Sequence, residues 1–260
     1  MDPRGLLIDI DGVLTVSWQP IPGAADAYAE LLRRGTPFRL ATNTTSRSRS
    51  EVAELLTAAG FPVDSARIVT APVATASYLR SNFADSTVFV LSSGDLSADF
   101  EGINVVGETD NADVVVLGGA GLVYTHDQLN HVFNLLLGGA EFVAMHRNLY
   151  WRTERGMELD TGAYAMALEA AVGRPPTVMG KPSPAFFAAA LDELGVEAAD
   201  AMMVGDDIIN DVLGAQECGM TGCLVMTGKY RPDAVAAAPG AANHTISSFG
   251  EVIEGLLDPA

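Results

Sequence analysis

Lysine is almost absent from this chain: Lys181 and Lys229 are the only two among 260 residues, against thirteen arginines. Basic residues of both kinds are outnumbered, 15 against 33 aspartates and glutamates, for a formal net charge of −18. So acidic a balance argues against a nucleic-acid partner, because a phosphate backbone rewards a basic surface. Cysteine is equally scarce. Cys218 and Cys223 lie in apolar surroundings, with no His or Cys at zinc-ligand spacing, which excludes a disulfide framework and reads as two buried thiols in a reducing compartment. No apolar run approaches the roughly 18 residues of a membrane-spanning helix, and "MDPRG" leads into the first apolar run without a basic region or an A-x-A site. A cytoplasmic location and no membrane partner are the expectation.

The chain has instead a regular alternation of apolar runs and helical patterns, which predicts β-α units on a parallel sheet. Strands are expected at Gly5 to Ile10, "FRLAT", "TVFVLSS", "ADVVVLGG", "EFVAMH", "TVMG", "AMMVG" and "GCLVMTG". Helices are expected at "GAADAYAELLRRG", at "SRSEVAELLTAAG" with a capping-box spacing of Ser48 and Glu51, at "HDQLNHVFNLLL" and at "TGAYAMALEAAVG". The region from about 78 to 176 holds its own strand and helix set while the acidic motifs flank it, so an inserted domain is expected there.

Binding sites of a parallel α/β sheet lie at the carboxyl ends of its strands. "LLIDIDGVLT" puts Asp9 and Asp11 at such an end, and strand alternation would point both to one side. Two carboxylates that close repel unless a cation or a shared proton intervenes. A calcium loop fails on spacing: counted from Asp9 it needs glycine sixth and glutamate twelfth, whereas Gly12 is fourth and Pro20 twelfth. "GDDIIND" adds Asp206, Asp207 and Asp211 at the end of another apolar run, with Asp207 equally placed to cap the following helix. If Asp9, Asp11 and Asp206 converge, Mg2+ is the natural cation, since oxygen ligands without His or Cys suit neither zinc nor copper. "LATNT" offers the Thr42 hydroxyl and the Asn43 amide to an anion, and "MGKPSP" offers the Lys181 ammonium to a phosphoryl group or a carboxylate.

Taken in order, "DIDGV", "ATNT", "GKPSP" and "GDDIIND" resemble the haloacid dehalogenase superfamily of phosphohydrolases, in the subgroup with a large α/β cap inserted between the Thr-bearing and Lys-bearing motifs. The resemblance implies a Rossmann-like doubly wound parallel-sheet core (1–77 and 177–260) with an inserted α/β cap domain (78–176). It implies a Mg2+-dependent phosphatase of small phosphorylated molecules. Asp9 would be the nucleophile and Asp11 the proton donor and acceptor. Asp9, the Asp11 main chain and Asp206 would hold the metal, with Asp211 and Asp207 reaching it through water or orienting it. Thr42, Asn43 and Lys181 would bind the phosphoryl oxygens, and Thr44 departs from the subgroup's pattern.

Pyrophosphate, phospholysine and phosphohistidine are the substrates the resemblance implies, with a sugar phosphate or a nucleotide as the alternative. A phosphotransferase of the same fold and a non-catalytic phospho-ligand-binding protein are the competing classes. The resemblance also places Asp160, Thr161 and Gly162 near the active-site mouth as cap specificity residues, and implies a homodimer through the cap. Arg147, Arg152 and Arg155 fit either an anionic substrate or a solvated, salt-bridged face.

Overall fold

The computed structural model describes residues 3–153 and 156–256. They form two compact units, one of residues 1–42, 49–69 and 181–260, the other of residues 43–48 and 70–180.

The first unit is built on a six-stranded sheet in the spatial order His244–Ile246, Thr221–Val225, Ala201–Gly205, Gly5–Asp9, Phe38–Thr42, Ile68–Thr70. Neighbouring strands pair in parallel from His244–Ile246 across to Phe38–Thr42. Numbered by appearance in the chain, the strands run 3-2-1-4-5-6, the Rossmann order, whose direction of winding reverses between Gly5–Asp9 and Ala201–Gly205. The middle strands are covered on both faces, and this is why they read as unbroken apolar runs: Leu6, Leu7 and Ile8 are fully buried, as are Met203 and Val204 beside them. The helix Ala24–Arg34 packs here through Tyr28 and Leu31, with the Tyr28 ring edge-on to Phe38 and Phe61. It ends at Gly35, whose φ of 72° suits glycine.

The second unit has a parallel four-stranded sheet in the order Thr177–Val178, Glu141–Ala144, Val114–Leu117, Val88–Leu91, and an antiparallel hairpin of Tyr150–Thr153 with Gly156–Leu159. Its helices include His126–Leu137, which coincides with the expected segment, and Thr161–Val172; a separate core gathers Phe89, Val115, Val132, Phe142 and Leu168.

The unit boundaries differ from those read from sequence. The helix Ala71–Asn82 groups with the second unit, and Thr177–Val178 forms an edge strand of its sheet. The chain passes from Ile68–Thr70 straight into that helix, whose cap is Thr70 itself, so no linker composition marks the crossing. Among the described residues no helix is long and apolar enough to cross a membrane.

Candidate active site

The switch point sets the geometry of the first unit's acidic centre. Asp9 is the last residue of its strand and pairs in register with Ala41, so Thr42 lies one step further along the neighbouring strand, where it is buried. On the other side Ile8 pairs with Val204, which brings Asp206, one residue past the strand Ala201–Gly205, close to Asp9. Carboxylate oxygens of Asp9, Asp206 and Asp211 lie within 4.8 Å of one another, and all three residues are buried.

Lys181 enters this cluster. Its buried Nζ lies 2.6 Å from Asp9 Oδ1 and 2.6 Å from Asp211 Oδ1, and donates to the carbonyl of Ala41 at 3.2 Å. Burial pulls the ammonium pKa down, but the charges of Asp211 and Asp9 outweigh it and the net shift is upward. Burial, reinforced by the charges of Asp9 and Asp211, pushes Asp206 up to about 8. Burial also raises Asp211, to about 6, and Lys181 opposes that rise.

Close backbone approach holds Asp206 in place. One of its oxygens, Oδ2, accepts from the main-chain N–H of Lys229 at 2.6 Å. A Cβ added to Gly12 or to Gly228 would fall inside the Asp206 carboxylate, and both glycines have positive φ, 111° and 55°. Thr227 Oγ1 donates to the Gly12 carbonyl, which ties the two loops together. The other oxygen, Asp206 Oδ1, is buried and has no hydrogen-bond partner among the described residues.

These residues fit a hard cation. The donors are all carboxylate oxygens, three carboxyl groups face one ammonium, and the orphaned Asp206 oxygen is the kind of buried polar atom that a ligand normally satisfies.

Two expected members stand apart from the cluster. The strand ends at Asp9, so the alternation that predicts a shared side for Asp11 stops short of it. Asp11 is exposed in the following turn, where its Oδ1 accepts from the Ser17 N–H at 3.0 Å. Asp207 is the N-cap of a π-helical turn, Ile208–Leu213: its Oδ1 accepts from the N–H groups of Ile209 and Asn210, and its Oδ2 from the Asn210 side chain. That carboxylate is occupied in starting the turn that carries Asp211, which makes orientation its contribution.

In the second unit, Asn43 lies against Gly180, where an added Cβ would approach its Oδ1 to 2.7 Å. Asp160 caps the helix Thr161–Val172, Thr161 is buried with its hydroxyl on the Gly118 carbonyl, and Gly162 packs on the backbone of Arg147 and Asn148. All three serve the internal architecture of that unit. His146, which no spacing singled out, joins them: its Nδ1 accepts from the Asn148 N–H, so Nε2 carries the proton, 3.3 Å from Thr45 Oγ1 and 3.7 Å from Asp160 Oδ1. Arg147 pairs with Glu169 at 2.6 Å; Arg155 and the side chain of Arg152 lie outside the described residues. In sequence the Thr227–Lys229 loop shows only as part of the "TGKYRP" segment and through the scarcity of lysine, neither of which assigns it a place in the site.

A buried carboxylate cluster at the switch point of a Rossmann-order sheet defines an α/β enzyme whose centre suits a hard cation and an anionic substrate. A model of the haloacid dehalogenase-like hydrolases matches residues 6–106, and a second model of the same hydrolase class matches 178–252. The human phospholysine phosphohistidine inorganic pyrophosphate phosphatase is 35% identical over 263 residues, covering 99% of this chain and 95% of the relative. The human haloacid dehalogenase-like hydrolase domain-containing protein 2 is 34% identical, covering 98% and 96%. Among solved structures, the p-nitrophenyl phosphatase from Archaeoglobus fulgidus superposes with a TM-score of 0.92 at 28% identity, covering 98% of this chain and all of that one. The chain belongs to the haloacid dehalogenase-like hydrolases, subfamily IIA, and is a phosphohydrolase.

Proposed function

We propose that the protein is a Mg2+-dependent phosphatase that hydrolyses a small phosphorylated substrate, pyrophosphate or a phosphoamide among them, through an aspartyl phosphate on Asp9. The observation that carries this reading is the cluster itself: a strand-end carboxylate fixed at 2.6 Å by a buried ammonium, with two further buried carboxylates beside it.

Asp9 and Asp206 would hold the cation, together with the main chain of Asp11, and Asp211 would orient it while anchoring Lys181. Bound there, Mg2+ supplies charge to offset the carboxylates and the phosphoryl oxygens. In the first step an Asp9 oxygen attacks phosphorus, the bond to the leaving oxygen or nitrogen breaks, and Asp11 gives that atom its proton. In the second, Asp11 takes a proton from a water that attacks the same phosphorus, releasing orthophosphate and the free Asp9 carboxylate. The exposure of Asp11 suits a group that must exchange protons with leaving group and water. Thr42, Asn43 and Lys181 would meet the transferring oxygens, and residues 43–48 and 70–180 would act as the cap that selects the leaving group.

The relative named for phospholysine, phosphohistidine and pyrophosphate favours those substrates over a sugar phosphate or a nucleotide. The test is phosphate release from pyrophosphate, phospholysine, sugar phosphates and nucleotides, with and without chelator. Asp9→Asn is expected to bring Mg2+-dependent release to background, and release that survives this substitution would refute the nucleophile.

A further inference from the structure

The chain has two lysines, and both reach the same centre. Lys181 belongs to the inner end of the centre, where its buried ammonium meets Asp9, Asp211 and the Ala41 carbonyl. Lys229 differs in every respect. The residue is exposed, and among the described residues its ammonium makes neither an ion pair nor a hydrogen bond. Its backbone is nevertheless anchored on the cluster, because its N–H donates to Asp206 Oδ2 and the preceding Gly228 packs against Asp206 and Gly12. The side chain therefore starts at a buried carboxylate, on a residue that is itself exposed, at the rim of the centre.

Charge completes the case. Three carboxylates, one ammonium and a divalent cation sum to neutrality, so the inner site has no surplus positive charge for a substrate that carries anionic oxygens beyond the transferred phosphoryl group. Arg231, two residues on, is already paired with Asp233 at 3.3 Å. The unpaired Lys229 is the cation that a second anionic group would meet.

We propose that Lys229 is a specificity-determining residue that binds the anionic leaving portion of the substrate, such as the outer phosphate of a diphosphate, and so ranks substrates by the charge beyond the transferred group. This rests on the proposed function only in placing the transferred phosphoryl group at Asp9.

Binding is the direct test, measured calorimetrically on the full chain in excess Mg2+. Methylenediphosphonate has two phosphorus centres and no P–O–P bond to cleave; methylphosphonate has one. Lys229→Gln is expected to weaken methylenediphosphonate about tenfold and methylphosphonate less than about twofold, the worth of one charge contact at a partly exposed site. Lys229→Arg should retain most of the wild-type preference, and all three proteins should melt alike. Equal weakening of both ligands, no weakening of either, or a wild type that binds the two equally would overturn the proposal. A wrong nucleophile would show separately, as phosphate release that survives Asp9→Asn, and would leave this comparison intact.

Discussion

Replacing Gly12 by alanine is a sharp test of how the acidic centre is held. The perturbation has two parts. At a φ of 111° any residue with a Cβ is strained, at about 1–3 kcal/mol. At Gly12 the new Cβ would also fall inside the Asp206 carboxylate, so that carboxylate or the Gly12 loop must move, and overpacking adds about 1–3 kcal/mol. Gly60 separates the two parts, because it has a φ of 95° with no atom within 4 Å of an added Cβ. Gly60→Ala should therefore show the backbone cost alone. Gly12→Ala should melt lower still, by roughly 2–12 °C at about 2–4 °C per kcal/mol for a chain of this size. The assay is thermal unfolding with and without saturating Mg2+. Wild type and Gly60→Ala should gain about 2–3 kcal/mol of stability at a hundredfold excess over Kd. Gly12→Ala should lose most of that gain, because the displaced group is the proposed cation ligand. A Gly12→Ala protein that melts like Gly60→Ala and keeps its full response to Mg2+ would refute the reasoning.

Two other outcomes follow from the same centre. Asp206 has a folded-state pKa well above that of an unfolded aspartate, so between about pH 4 and 8 the folded chain binds more protons than the unfolded one, and stability falls as pH rises through that window. In chelator the melting temperature should thus be lower at pH 8 than at pH 5, and Mg2+, which favours the ionised cluster, should raise it more at pH 8; a flat profile in chelator would contradict the assigned burial. Asp207→Ala removes the acceptor of three hydrogen bonds at the start of Ile208–Leu213 and should cost about 0.5–2 kcal/mol. Its melting response to Mg2+ should survive, whereas loss of that response would make Asp207 a ligand after all.

Much of this was legible in the chain because it is local. Leu6 to Asp9 reads as a buried strand ending in a carboxylate, and it is one. His126–Leu137 begins and ends where its spacing puts it, between a Thr125 cap and Gly138. The short strands Ile68–Thr70 and His244–Ile246 escape such reading, since three residues are too few for a period to show. The doublets "DID" and "DD" each place two carboxylates at a strand end, and no spacing tells which of the two turns inward.

Sequence alone determined the class of centre: the residue types, their order along the chain and their position after apolar runs leave a hard cation and a phosphoryl group as the chemistry that suits them. Tertiary structure decided the membership. It chose Asp9 over Asp11 and Asp206 over Asp207 for the buried cluster, and it carried Lys181 across 172 residues to Asp9. The reason is physical: caps and strand ends are settled by neighbours a few residues away, whereas a carboxylate is buried only where distant strands close around it and bring the compensating charge.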